Sequence, residues 1–239
     1  MIRRALALAL ATALIPQASI SQSSTNKSSP STAALPLNYQ TIFDNPDVLV
    51  MHVHYGAHEF VPMHDHPAVA TLYVYLNDAG EVDIIHEGPN AVTAHRPPTH
   101  TGAFRIAPGI AERHSVQSNS DTDSEFLRVE FKRISLSDLP EAGKHVATPA
   151  TPSPGTQTDF QNADLRIDRI LCATDKPCAP APTKQRSLLI AITPLHAQIS
   201  GAQNTLRTGD VLWLPPGDDT NATLSPGSQC LRVSFLSRE

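Results

Sequence analysis

His64 and His66 stand two residues apart in the stretch Gly56-Ala-His-Glu-Phe-Val-Pro-Met-His-Asp-His66, just ahead of an apolar run, Thr71–Leu76. A third histidine, His114, follows the turn-rich segment Gly102…Pro108-Gly109. In an extended chain, residues i and i+2 project to the same side, so His64 and His66 can aim at one point. The turns at Gly102 and Pro108-Gly109 can fold a neighbouring strand back and bring His114 beside them. Three neutral imidazoles around one cavity suit a single divalent metal ion, Fe, Zn, Mn, Cu or Ni, with positions left open for water or substrate.

The sequence contains its own control. Asn45-Pro-Asp-Val48 returns as Asn162-Ala-Asp-Leu165, and Leu72-Tyr-Val-Tyr-Leu76 as Leu188-Leu-Ile-Ala-Ile192. Gly102-Ala-Phe-Arg-Ile-Ala-Pro108 returns as Gly209-Asp-Val-Leu-Trp-Leu-Pro215, and Phe126-Leu-Arg-Val-Glu-Phe131 as Cys230-Leu-Arg-Val-Ser-Phe235. The separations fall in order from 117 to 104, as deletions in loops between matched strands would make them. The chain therefore reads as two copies of one domain. Pro180, Pro182 and Asn221 stand where the second copy would place His64, His66 and His114. Residues needed for the fold should survive in both copies, whereas residues that act only as a set can vanish as a set.

The elements that must position these histidines read as strands. Val48–Tyr55, Thr71–Leu76, Val82–His86, Ala103–Ile106 and Glu125–Phe131 are short, rich in β-branched and aromatic residues, and bounded by Gly, Pro, Asn or Asp. No helical periodicity is sustained beyond the first twenty residues. Prolines outnumber glycines, 21 to 11, and aromatics are few. Short strands with stiff turns point to an all-β sandwich or barrel. Alternation in Thr71–Leu76 puts Leu72, Val74 and Leu76 on one face and Thr71, Tyr73 and Tyr75 on the other.

The ends of these copies can be drawn from composition. Met1-Ile-Arg-Arg4 followed by the apolar run Ala5–Ile15 reads as a secretory leader, residues 1–21, too short to span a bilayer. The expected location is secreted or periplasmic, with no transmembrane span once the leader is removed. Residues 22–36, polar and Pro-containing, read as a disordered tether. Residues 37–139 and 157–239 are the two copies, and the Pro-rich stretch 140–156 is expected to be a linker without regular pairing. A net charge of −5 with no basic run excludes nucleic acid as a partner. Export permits a disulfide: Cys172–Cys178 is favoured over three free thiols, with Cys230 left over.

The motifs together carry a resemblance. Gly56…His64-x-His66 and Gly102…Pro108…His114, with Gly209…Pro215-x-Gly217 in the second copy, resemble the two motifs of the cupin superfamily. The resemblance implies a bicupin: two tandem antiparallel jelly-roll barrels, the first metal-competent through His64, His66 and His114, the second degenerate. It implies little about the reaction, because the fold hosts many activities. The family pattern places a Glu ligand where Ala70 and Thr71 stand here. His58, Glu59 and Glu112 are candidate substitutes, and Glu59 or Glu112 a candidate base. His52 and His54 read as barrel-facing or surface strand residues, and His86, His95 and His100 as loop or strand-end residues. Tyr73 or Tyr75 and Phe104 are expected to line the barrel, and Trp213 to be core. The expected partner is a small molecule, with the chain a monomeric bicupin or a homodimer. Two functions stay open: a metal-dependent enzyme, in the first instance an Fe-type dioxygenase, and a non-catalytic metal- or ligand-binding module. A metal-independent sugar isomerase lacks its Lys/Tyr/His set.

Overall fold

A computed structural model describes residues 35–88, 91–217 and 222–236. The leader, nearly all of the tether, and Asp218, Asp219 and Asn221 lie outside the described residues. Every regular element among the described residues is a strand. In the first half these are β1 (Tyr39–Asp44), β2 (Val48–Tyr55), β3 (Phe60–His66), β4 (Thr71–Tyr75), β5 (Val82–His86), β6 (Thr93–Arg96), β7 (Phe104–Ala107), β8 (Glu112–Ser118), β9 (Ser124–Phe131) and β10 (Lys144–Val146). The second half holds β11 (Gly155–Gln161), β12 (Leu165–Leu171), β13 (Arg186–Ala191), β14 (Leu195–Ile199), β15 (Ala202–Leu206), β16 (Val211–Leu214), β17 (Thr223–Leu224) and β18 (Gln229–Phe235).

The repeat read from the sequence is present in the topology. One sheet runs β1-β2-β9-β4-β7-β10 and another β11-β12-β18-β13-β16, so five strands recur in one order, all antiparallel. The irregularities recur as well: the β1–β2 register shifts between Thr41 and Phe43, and the β11–β12 register between Thr158 and Phe160. This bulge keeps an aromatic residue, Phe43 or Phe160, on the buried face. The remaining strands close each half with a second sheet, β3-β8-β5-β6 in the first and β15-β14-β17 in the second.

Alternation decides where each side chain goes. In β9, Leu127, Val129 and Phe131 face the other half, while Phe126, Arg128 and Glu130 point into the first barrel. The two large sheets bury a shared core that includes Leu72, Val74, Ile106, Leu188, Ile190 and Val233. Phe131 meets Phe235 at 5.9 Å between ring centroids, and Trp213 packs in the same layer at 5.4 Å from Phe235. Phe104 belongs to this shared core too, so it does not line the barrel as expected. Its position opposite Val74 puts it on the face turned away from Tyr73 and Tyr75.

The stretch 140–156 differs from the expected unpaired linker. Lys144–Val146 form β10 against β7, and β11 begins at Gly155. Three residues bordered by prolines suffice to pair at a sheet edge, where only one side of the strand needs donors. Upstream, Leu35 already packs against the first barrel's core, ahead of the expected start at Leu37. Cys172 and Cys178 form a disulfide, and Cys230 is a buried free thiol. No helix of the described residues is long and apolar enough to cross a membrane.

Candidate metal centre

His64 and His66 lie within a strand of their own, β3, so the extended segment expected ahead of β4 is itself a paired strand. The strand escaped the sequence reading because it contains Pro62 and a register shift. Val61 pairs with Val116 and His64 with His114, so Pro62 and Met63 are accommodated in a bulge. Without that bulge, strict alternation from buried Val61 would send Asp65 inward and His64 out. With it, Val61, His64 and His66 are all buried and Asp65 sits outside, where it pairs with Arg113. A proline is tolerated here because a bulge leaves its position outside the ladder.

His114 comes from β8, directly opposite His64 on β3, with His86 opposite it on β5. The ring centroids of His64 and His66 are 4.8 Å apart, those of His64 and His114 4.7 Å, and those of His66 and His114 5.1 Å. One ligand atom from each of the three lies within 4.8 Å of the others. All three rings are at most 5% exposed.

Their hydrogen bonds suit metal ligation. His64 Nδ1 is 2.7 Å from the Pro62 carbonyl, which can only accept, so Nδ1 carries the proton and Nε2 presents its lone pair to the cluster. The Tyr39 hydroxyl donates to that Nε2 at 3.0 Å, and Tyr55 donates in turn to Tyr39 at 2.7 Å. Both ring nitrogens of His66 and Nδ1 of His114 are buried without a partner among the described residues. Buried imidazoles with unspent lone pairs are costly in a structural core, and a metal ion satisfies them. Desolvation, followed by the Arg128 charge and the neighbouring imidazoles, pushes His66 well below its usual pKa. Desolvation and His64 push His114 down to about 3. The three rings are therefore neutral and ready to ligate.

The other candidates separate cleanly. Glu59 accepts from Gly56 N at 2.6 Å and from Asn38, so it closes a turn rather than facing the cluster. His58 is exposed on Asp121. Glu112 alone of the three substitutes comes near: it pairs with His66 across the strands, lines the cavity, and puts Oε2 at 3.9 Å from His114 Nδ1. His52 and His54 face away from the barrel and share Glu125. His95 pairs with Asp83 and Glu81, and His100 is exposed beside Asp78.

The cluster opens on a cavity of about 330 Å³ inside the first barrel. All four tyrosines of the chain, Tyr39, Tyr55, Tyr73 and Tyr75, line it, with Phe126. Burial holds Tyr55 up to about 12 and raises Tyr39 well above the usual phenol value, so both stay phenols. Three arginines also reach the cavity. Arg128 is nearly fully buried, with Nε on Glu130 at 2.9 Å and Nη1 on the Tyr73 hydroxyl at 2.6 Å. Burial works against its charge, but Tyr73 and Glu130 outweigh it and hold its pKa above the usual guanidinium value. Arg128, Arg96, Tyr39 and Tyr55 were not singled out from the sequence, and His86, read there as a loop or strand-end residue, ends β5 beside the cavity. Arg128 lay in plain view in the repeated Leu-Arg-Val, and alternation from Phe126 was the signal that could have placed it inside.

No family model matches the sequence, and no curated protein matches it. Solved structures do. The protein Ylba from Escherichia coli is similar over 86% of this chain and 87% of its own, with a TM-score of 0.58 and 8% identity. The pirin YhhW from Escherichia coli, solved with nickel(II), covers 84% of this chain and 91% of its own at a TM-score of 0.56 and 13% identity. A salicylate 1,2-dioxygenase from Pseudaminobacter salicylatoxidans covers 84% and 78% at 0.51 and 11% identity. These are cupin-fold proteins, and the likeness at such low identity lies in backbone and topology, not in sequence. Antiparallel barrels with a histidine cluster walled inside one of them, matched over most of the chain by such proteins, give this chain a cupin-like fold.

Proposed function

We propose that the protein is an exported, duplicated cupin whose first barrel holds one divalent metal through His64, His66 and His114 and acts on a small molecule, in the manner of a metal-dependent dioxygenase. The observation that carries this reading is the set of buried, unpartnered imidazole nitrogens at the wall of an aromatic-lined cavity. Three protein ligands leave room for further ones, which is the arrangement of catalytic rather than structural sites. Nickel in the pirin and the dioxygenase activity of another neighbour support a metal of this kind and oxygen chemistry. Residues 1–21 support export, as does the Cys172–Cys178 bridge.

A bound divalent ion would supply Lewis-acid or redox activation of an oxygen ligand. The chain's own residues do the rest. The Pro62 carbonyl fixes the His64 tautomer. With His64 Nε2 turned to a metal, the Tyr39 hydroxyl that donates to it here, itself held by Tyr55, would be released to hydrogen-bond an oxygen there. Tyr73, Tyr75 and Phe126 keep the cavity dry, which strengthens every polar contact in it. Glu112, half-buried at the cavity wall, is the carboxylate placed to take or return a proton.

The test is metal analysis of protein purified without a histidine tag, followed by oxygen uptake on thiols, diketones and phenols. About one metal per chain, lost in His64→Ala, is the expected result. Unchanged metal content in that variant would remove the site. A second reading, a binding module, is favoured by one observation: Ala70 and Thr71, where the family places a carboxylate, are buried and apolar or bonded to backbone. Full metal with no turnover on any substrate would select it.

A further inference from the structure

The cavity beside the histidine cluster carries more positive charge than its own carboxylates balance. Arg96, Arg105 and Arg128 line it, against Glu112 on the wall and Glu130 behind Arg128. The imidazoles there add no compensating charge in either protonation state, and a divalent ion would add more positive charge.

The three guanidiniums are also arranged in a particular way. Arg96 lies over the Tyr75 ring at 5.5 Å, and Arg105 and Arg128 lie over Tyr73 at 5.2 and 5.3 Å. A guanidinium stacked on an aromatic face keeps its N–H edge free to meet a carboxylate in its own plane. Arg128 spends Nε and Nη1 on Glu130 and Tyr73, and Arg105 spends Nε on the Ala142 carbonyl. Arg96 donates through Nη2 to Ser124 Oγ at 3.2 Å, while its Nε is buried with no partner among the described residues. A buried, charged donor without an acceptor is costly, and a ligand oxygen would relieve it.

The apolar part of the cavity is flat-walled. Tyr55, Tyr73 and Tyr75 surround Phe126 with ring centroids 5.3, 6.3 and 6.2 Å away. Such rings favour a planar or unsaturated body packed edge-on or offset between them. We infer that the ligand of this cavity is a small planar carboxylate, held with its carboxylate at Arg96 and its flat body among Tyr73, Tyr75 and Phe126. This rests on the proposed function only for what happens to the ligand afterwards. The arginine–aromatic site exists whether or not a metal is present.

The experiment is a titration of the full chain with benzoate and with benzamide, its neutral isostere. It is followed by tyrosine difference absorbance and by calorimetry, once with metal loaded and once after chelation. Because every tyrosine lines the cavity and Trp213 lies in the shared core, a tyrosine signal without a tryptophan signal reports binding there. Benzoate is expected to bind under both conditions, and benzamide at least about tenfold more weakly. Arg96→Gln is expected to weaken benzoate by about tenfold and to leave benzamide unchanged. Benzamide binding as tightly as benzoate, or no binding of benzoate to unmodified protein, would overturn the inference, and neither depends on a variant that folds. Metal retained by the three histidines without benzoate binding would remove the ligand class alone. Benzoate binding by protein that takes up no metal even when metal is supplied would remove the metal reading alone.

Discussion

The two barrels share a scaffold and differ in what fills them. Where the first has Tyr39, Tyr55, Tyr73, Tyr75 and Phe126 facing inward, the matching registers of the second hold Thr156, Cys172, Leu189, Ala191 and Cys230. The aromatic walls of a cavity have become smaller side chains, and the second interior closes into an apolar core with Leu195, Ala197, Leu206 and Leu224. The strand that carries His64 and His66 is not retained either. Between β12 and β13 the chain runs instead through the Cys172–Cys178 loop, and only Cys178 still bridges to Leu224, near where β3 would lie. Thus the sequence expectation that strands persist around the lost histidines holds for the large sheets but not for β3. Neither Pro180 nor Pro182, which stand in place of the histidines, can donate to a ladder.

Both barrels keep a buried arginine at the same register, Arg128 opposite Met51 and Tyr73, and Arg232 opposite Asp168 and Leu189. Their environments separate the functions. Arg232 meets Asp168 at 3.0 Å and the Ala181 carbonyl, inside a filled interior. Arg128 borders a cavity. A shared residue with a structural partner in one copy and an open face in the other shows how one scaffold can serve packing in one place and binding in another.

The sharpest way to break this comparison is at the metal. Replacing His66 with Ala should remove bound metal, measured by elemental analysis, while leaving the second barrel intact. Retention of the full metal complement would place the ligands elsewhere. Next in size, Asp168→Ala should cost about 3–5 kcal/mol by denaturant unfolding, because it removes the carboxylate that meets the buried Arg232 charge and the acceptor shared by Arg166 and Thr158. A near-neutral effect would mean the second interior tolerates loss of that carboxylate and is not a closed core. A smaller loss, about 2 kcal/mol, is expected for the Cys172→Ser, Cys178→Ser double variant, whose loop is short. Its metal content should not change; a loss of metal would couple the two barrels through that loop.

A separate effect concerns pH in chelated protein. His66 and His114 titrate near 6.5 when unfolded, and His114 near 3 when folded, so between those values the unfolded chain binds protons that the folded one does not. Stability should therefore fall as pH drops from about 6.5 toward 3. His114→Gln should flatten part of that slope, and an unchanged slope would assign it to other groups.

Much of the scaffold was legible because strand alternation is local. Val48–Tyr55 and Val82–His86 stand as the pattern drew them, and the remaining predicted strands shift by a residue at one end or both. β1 and β3 were missed where bulges at Ile42 and at Pro62-Met63 break the alternation that marks a strand. The edge strand β10 was hidden by the prolines around it.

The sequence by itself determined that the chain is a repeated all-β protein and that three histidines form a set, because periodicity, spacing and the internal repeat are properties of the chain's order. Only the tertiary structure decided what surrounds that set. A bulge turned His64 and His66 inward together, and Tyr39, Tyr73, Arg96 and Arg128 meet beside them from four strands. Their convergence depends on strand pairing and sheet closure across up to 89 positions of chain, from Tyr39 to Arg128, which no local pattern records.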